Sequence, residues 1–187
     1  MNEKKRVISY SACAYYLEAF FNETRLSNAT CFIVKGKKCD FLISNWHVFA
    51  GKDCDNEELL DNNGSIPNSI RVDLPLDMGN NKIGWLKDFA KFNLLNDDWS
   101  PRYLQRRING KIIDIAALPI QKMDGRYFTI DMGEEIGNEN TEFYIGDFVY
   151  VLGFPFGRIA DYKFPIWKKA SVVSEPVFDI NKLPYFL

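Results

Sequence analysis

The sequence has little of several features that mark common classes of function. Its 187 residues include one histidine, His47, and its cysteines form no Cys-x-x-Cys pair, which excludes the usual zinc-binding sequences. No run reaches the ~18 consecutive apolar residues that a membrane-spanning helix needs. The formal net charge is only −2, so there is no electrostatic reason to expect binding to nucleic acid or to an acidic membrane. We therefore expect no metal, no nucleic-acid partner and no membrane partner.

The cysteines are few and irregularly spaced, at Cys13, Cys31, Cys39 and Cys54. Two disulfides would suit a secreted protein, but nothing in the sequence indicates secretion, so we expect buried free thiols. The basic N-terminal segment is interrupted by Glu18 and aromatic residues, which does not fit the apolar core of a signal peptide. These observations predict a soluble, cytoplasmic protein.

The sequence does contain many short segments rich in β-branched and aromatic residues, separated by Gly, Asn, Asp and Pro. This pattern predicts an all-β fold, either a barrel or a sandwich. The predicted strands are residues 15–21, 30–34, 40–44, 69–74, 112–118, 128–130, 148–152 and 171–177. Gly36 predicts a hairpin turn between the second and third of these strands. Residues 47–51 and 85–93 are predicted as short helices, and the acidic segment 53–68 as an exposed loop.

His47 follows a predicted buried strand in the segment LISNWHVFAG. A histidine there would lie half exposed at the end of the strand, and its ordinary pKa near 6.5 suits a general base. A core histidine bonded to a backbone carbonyl is the alternative. Asp114 is a lone carboxylate in the apolar strand KIIDIAALPI, where a buried charge needs a partner. That partner could be His47, although an exposed Asp bonded to nearby backbone amides is also compatible with the pattern.

A third segment, VLGFPFG, reads as a strand that ends in a tight turn with Gly153 and Gly157. In order, FLISNWHV, DIAALPI and VLGFPFG resemble the trypsin-like serine peptidases, and most of all their intracellular bacterial branch. Residues 164–171, FPIWKKAS, resemble the segment that leads toward the nucleophile in that branch. The likeness covers residues 15–187. It implies that His47 is the general base, that Asp114 orients it, and that no metal or organic cofactor takes part.

The resemblance also implies an all-β fold of two antiparallel β-barrels, with the active site in the cleft between them. The first barrel would comprise residues 1–120 and carry His47 and Asp114. Residues 121–142 would be a linker, and residues 143–187 would form an incomplete second barrel. The implied partner is a protein or peptide substrate.

The sequence departs from the family at the nucleophile. The family's serine stands in a Gly-x-Ser-Gly loop whose amides form the oxyanion hole, and no such sequence occurs here. Ser171 and Ser174 match a strand upstream of that loop. We therefore expect the nucleophile to be encoded beyond Leu187, the chain to be inactive as it stands, and a missing segment or partner chain to complete the second barrel. The cysteines near His47 fall in the predicted first barrel, which does not supply the family's nucleophile.

Three functions are compatible with these observations. The first is a serine endopeptidase whose nucleophile lies outside this sequence. The second is a non-catalytic pseudo-peptidase that binds peptides or acts in regulation. The third is a β-rich interaction protein unrelated to peptidases, and a large separation between His47 and Asp114 would favour it.

Overall fold

The computed structural model describes residues 9–80, 82–131, 142–157, 163–175 and 178. Within these ranges the chain forms twelve strands and one short α-helix, α1, at Trp46–Ala50, with 3₁₀ turns at Ser9–Ala12 and Pro155–Gly157. The strands are β1 Tyr15–Phe21, β2 Thr24–Lys35, β3 Asp40–Ser44, β4 Ser69–Val72, β5 Pro75–Asp77, β6 Ile83–Trp85, β7 Ala90–Asn93, β8 Leu104–Ile108, β9 Lys111–Ile120, β10 Ile130–Asp131, β11 Phe148–Gly153 and β12 Ile166–Ser171.

Eight of these strands form one curled sheet with the order β7-β4-β1-β2-β3-β9-β8, in which β10 also pairs with β2. The pairing of β10 with β2 is parallel, and the other pairings between described strands are antiparallel. Two further pairs, β5–β6 and β11–β12, form separate two-stranded sheets. The prediction of an all-β fold is confirmed, whereas the parallel pair was not foreseen.

The curled sheet encloses one hydrophobic core. Adjacent strands each contribute a side chain with no exposed surface or almost none, namely Leu17, Ile33, Leu42, Ile70 and Leu118. Burying one such side chain stabilises the folded state by roughly 1.5–3 kcal/mol. Because the contributions come from five different strands, the core holds the sheet in its curled form.

The hairpin predicted around Gly36 is confirmed, since β2 and β3 pair antiparallel with Phe32 opposite Ile43. The chain then enters α1, close to the short helix predicted at residues 47–51. This helix ends because Gly51 adopts a left-handed φ of 65°, and its N–H donates to the carbonyl of His47 at 2.9 Å. Segment 53–68, predicted as a loop, contains no strand or helix.

Two of the predicted elements are wrong. Residues 85–93 do not form a helix: β6 ends at Trp85, and β7 begins at Ala90. In β7, Ala90 and Phe92 pack against the core while Lys91 is exposed, so pairing with β4 imposes the two-residue period of a strand. The last strand among the described residues lies at 166–171 rather than 171–177, because β12 pairs with β11 from Ile166 onward. Residues 176 and 177 lie outside the described residues.

Residues 121–142, predicted as a linker, are described up to 131 and again from 142, and they contribute β10 to the sheet. In the range predicted as a second barrel, the described elements are the hairpin of β11 and β12 and the 3₁₀ turn between them. The rest of that range, residues 158–162, 176, 177 and 179–187, lies outside the description. Within the described residues, no helix has the length and apolar character needed to cross a membrane.

Candidate active site

The position of His47 follows from the end of β3. This strand runs through the core, and α1 begins two residues after Ser44, so the helix is fixed at the end of the sheet. Trp46, Val48 and Phe49 are buried in the core and anchor the helix, while the side chain of His47 is 41% exposed. The core therefore holds one imidazole at the surface in a fixed orientation.

Asp114 reaches the same place through strand pairing. β9 runs antiparallel to β3, with Ala116 opposite Ser44. Asp114 lies two residues before Ala116, so the register places it beside the start of α1. Residues that are 67 positions apart in the sequence are thereby neighbours in space.

The Asp114 carboxylate makes several hydrogen bonds to the segment that carries His47. Nδ1 of the imidazole lies 2.8 Å from Oδ2 and 3.0 Å from Oδ1. The backbone N–H of His47 donates to Oδ1 at 2.9 Å. Because an ionised carboxylate can only accept, Nδ1 carries the proton and Nε2 is the nitrogen left to take a proton from another group. The predicted pairing of the two side chains is present; their catalytic role stays a prediction.

The electrostatics of the pair agree with this arrangement. The hydrogen bond that His47 donates to Asp114 raises the pKa of His47 above 6.5, although desolvation acts in the opposite direction. Partial burial raises the pKa of Asp114, but the hydrogen bonds from His47 and Asn45 outweigh it, so the net pKa lies below the ordinary value. Each group thus favours the charged form of the other.

Asn45 is a site residue that the sequence analysis missed. It stands at the N-cap of α1, yet its side chain makes no capping hydrogen bond. Instead its Nδ2 donates to Asp114 Oδ2 at 3.0 Å and contacts the Asp114 carbonyl at 3.3 Å. Asparagine just before a helix ordinarily predicts a cap, so the local sequence concealed this role.

Gln105 is a second residue that the sequence did not indicate. Its Oε1 accepts from the indole Nε1 of Trp46 at 2.6 Å. Trp46 is 4% exposed and directly precedes His47, so this bond fixes the first turn of α1 to β8. The contact joins distant segments, and no spacing in the sequence would have shown it.

The third predicted segment, around Gly153, packs against β2 close to the end of β3. The N–H of Phe154 donates to Thr30 Oγ1 at 3.0 Å, and the carbonyl of Thr30 accepts from Ser44 Oγ at 2.9 Å. A Cβ at position 153 would lie 2.8 Å from Thr30 Oγ1, so this close approach requires glycine. The turn and the segment that leads to His47 therefore meet at one residue of β2.

Among the described residues, no serine or cysteine is hydrogen-bonded to the imidazole of His47. Ser44 is bonded to Thr30, and Ser11 accepts from Trp167 Nε1 at 2.8 Å. Ser171 ends β12 as an exposed residue. The described residues thus provide a paired base without a hydroxyl for it to activate.

The cysteines, all within the described ranges, form no disulfide, and Cys31 alone among them is fully buried. Desolvation raises the pKa of Cys54, and the carboxylates of Asp114 and Asp55 raise it further. A raised pKa keeps the thiol protonated, the opposite of what a nucleophilic cysteine needs. Within the described ranges, no three His, Cys, Asp or Glu side chains are grouped as a metal site would require.

The chain was also compared with known proteins. It matches no model of a protein family and no curated protein. The resemblance to trypsin-like peptidases therefore rests on the three sequence segments, and it stays a prediction.

Proposed function

We propose that His47 and Asp114 are the base and the orienting carboxylate of a trypsin-like serine endopeptidase. In this role Nε2 of His47 removes the proton from a serine hydroxyl as it attacks the scissile carbonyl, and then returns it to the leaving amine. Asp114 keeps the proton on Nδ1 and stabilises the imidazolium that forms. The substrate is a protein or peptide.

The observation that carries the proposal is the 2.8 Å contact between His47 Nδ1 and Asp114 Oδ2. A purely structural pair would have no need to leave the imidazole partly exposed, yet 41% of the His47 side chain is accessible. The bonds from the His47 backbone and from Asn45 prevent the carboxylate from rotating away. The pair is thus preorganised while its second ring nitrogen is available.

The fold supports the proposal at a coarser level. A curled sheet that presents a base at the end of one strand and its carboxylate on the neighbouring strand is compatible with the first barrel of that family. The proposal extends this to a second barrel, of which the hairpin of β11 and β12 would be the beginning. The contact of Phe154 with Thr30 would place the second barrel beside the end of β3.

Under this proposal, the 187 residues by themselves have no peptidase activity. None of the serines in the sequence stands in a Gly-x-Ser-Gly segment, and loss of the nucleophile lowers the rate of such enzymes by about 10⁶. A nucleophile from outside this sequence would be needed to complete the triad.

The protein in its native form tests the enzyme proposal. We expect the native product to contain a Gly-x-Ser-Gly segment, to cleave peptides and to react with a serine-directed fluorophosphonate. His47→Ala should abolish the labelling. Asp114→Asn should lower the cleavage rate by about 10⁴, because the wrong tautomer of His47 is then favoured. A native product of these 187 residues alone, with neither labelling nor cleavage, would contradict the enzyme proposal.

The absence of a Gly-x-Ser-Gly segment favours one second candidate, a pseudo-peptidase that binds peptides without cleaving them. Titration of the 187-residue chain with a library of unlabelled peptides separates the two functions. Saturable binding that shifts the NMR signals of α1, without any serine-dependent cleavage by the native protein, would support the pseudo-peptidase function.

A further inference from the structure

A groove of about 440 Å³ lies at the end of the sheet where β1 ends, β4 begins and β7 ends. Its walls share no residue with the His47–Asp114 site. We call it the Asn groove and define it by the side chains Asn22, Asn68, Asn93, Asn96, Asp97 and Trp99. Its size falls within the range of small-molecule sites, about 300–1,000 Å³.

Trp99 is the aromatic wall of the Asn groove. It is 67% exposed, and it adopts a left-handed φ of 65°, a strained conformation for a bulky residue. Because so little of the ring is buried, packing does not compensate for this strain. A short turn maintains the conformation, because Trp99 N–H donates to the Asn96 carbonyl at 3.0 Å and Asn96 Nδ2 donates to Ser100 Oγ at 2.9 Å. The turn therefore fixes the backbone from which the indole projects at the groove.

Two of the amide side chains of the groove, those of Asn22 and Asn68, are held in place by each other's segment. Asn68 Nδ2 donates to Asn22 Oδ1 at 2.8 Å, while Asn68 Oδ1 accepts the backbone N–H of Asn22 at 3.0 Å. These bonds leave the Nδ2 group of Asn22 for other partners. The side chains of Asn93 and Asp97 form no hydrogen bond or ion pair within the described part of the chain. The groove thus offers unused donors and unused acceptors around one aromatic face.

The mixture of donors and acceptors selects the chemistry of the ligand. An anionic ligand can bond only to hydrogen-bond donors of the protein, and an ammonium group can bond only to acceptors. A hydroxyl group can bond to both. Arg71 lies 2.5 Å and Lys91 3.8 Å from the Glu23 carboxylate at the groove. With Asp97 as the second carboxylate, two negative charges balance the two positive ones, so no net positive charge is left to bind a phosphate. A compound with several hydroxyls and one apolar face fits this set, because that face can pack on the indole.

We propose that the Asn groove binds a neutral saccharide, with one sugar ring stacked on Trp99 and its hydroxyls bonded to the amides of Asn22 and Asn93. Asp97 accepts from a further hydroxyl. The site is independent of His47 and Asp114 and would be present whether or not the protein is a peptidase.

The experiment is a titration of the ¹⁵N-labelled chain with maltose, cellobiose, lactose and N,N′-diacetylchitobiose, each followed by NMR. We expect at least one of them to give a saturable shift of the Trp99 indole signal and of the side-chain amides of Asn22 and Asn93. Trp99→Gly should weaken that binding by about tenfold, because it removes the aromatic face on which the sugar ring stacks. Asn93→Leu should weaken it without altering the fold.

Phe156→Gly is the matched control. Phe156 is also an exposed aromatic residue with a positive φ, 55°, but it does not line the groove, so its replacement should leave saccharide binding unchanged. Failure of all these saccharides to give a saturable shift overturns the proposal. Binding that Trp99→Gly leaves intact overturns it as well.

Discussion

The curled sheet and the hairpin of β11 and β12 have similar strand-like sequences but very different surroundings. In the sheet, Leu17 and Leu42 have no exposed surface, whereas Phe148 and Tyr150 in the hairpin are 63% and 58% exposed. Among the described residues, most buried side chains belong to the sheet and its helix, and the hairpin region adds Phe154 and Val172. The comparison teaches that an apolar β pattern specifies a strand locally, while burial depends on a partner surface.

The largest expected effect tests this difference directly. Phe49→Ala should lower the free energy of unfolding by about 3–5 kcal/mol, because it leaves a cavity in the core of the sheet. Phe148→Ala should change it by no more than about 0.5 kcal/mol, because the ring is already largely hydrated. Urea denaturation of both variants measures the contrast. Equal losses would show that the hairpin is part of the same core.

Gly153→Ala should separate the hairpin from the sheet. The added methyl group would lie 2.8 Å from Thr30 Oγ1, and such overpacking costs roughly 1–3 kcal/mol. Hydrogen exchange should become faster at the Phe154 amide while the amides of β3 stay protected. Gly125→Ala is the control, since a Cβ there has no neighbour within 4 Å. Uniform loss of protection across β3 would contradict two separable regions.

Asp114→Asn should reduce stability by about 1–2 kcal/mol, the scale of hydrogen bonds to a charged group. The folded pKa of His47 is raised, so its contribution is complete below about pH 6.5 and is lost as pH rises through the folded value. The pKa of Asp114 is lowered, so its contribution is present above about pH 3.9 and is lost as pH falls through the folded value. The loss of stability in Asp114→Asn, relative to the unchanged protein, should therefore be largest between about pH 3.9 and pH 6.5.

The single histidine makes that measurement simple, because one imidazole signal reports the titration of His47. We expect its NMR pKa to fall in Asp114→Asn and to be unchanged in Asp88→Asn, an exposed carboxylate in the loop between β6 and β7. An unchanged pKa in Asp114→Asn would contradict the ion pair.

The smallest effects concern the two exposed aromatic residues with positive φ, one in each region. Phe156 is 92% exposed, so Phe156→Gly should remove strain and stabilise the protein by about 1 kcal/mol. In Trp99→Gly, the same gain is offset because the variant loses the packing of the buried third of the side chain. The net change in the free energy of unfolding should therefore stay within about 0.5 kcal/mol. Thermal unfolding of both variants distinguishes these outcomes. A large loss in Trp99→Gly would assign the indole a structural role.

The sequence was sufficient for the class of the fold and for the contact at the centre of the site. Short segments rich in β-branched and aromatic residues, separated by Gly, Asn, Asp and Pro, indicated most strands, because such side chains pack well on a pleated sheet. His47 and Asp114 were recognisable as candidate site residues because each is a polar residue in or beside an apolar segment. Their pairing required only that β3 and β9 be neighbours.

Other features could not be predicted because they depend on pairings between distant segments. Residues 85–93 have a composition that suits a helix, and only the partner strand β4 makes part of them a strand. Asn45 has the identity of a helix cap but bonds to Asp114. The Asn groove combines a β1–β2 turn, the segment before β4 and the loop after β7, so its residues show no common spacing.

The pairing of β3 with β9 has a consequence for the order of folding. The hairpins β1–β2 and β2–β3 join nearby residues and can form early, whereas His47 and Asp114 meet only after a loop of 67 residues has closed. Non-local pairings of this kind slow folding, since the entropy of loop closure is lost before the new contacts form. A chain arrested with only its local hairpins would have an unpaired imidazole with an ordinary pKa. In a refolding experiment, the rise of the His47 pKa would thus mark the pairing of β3 with β9.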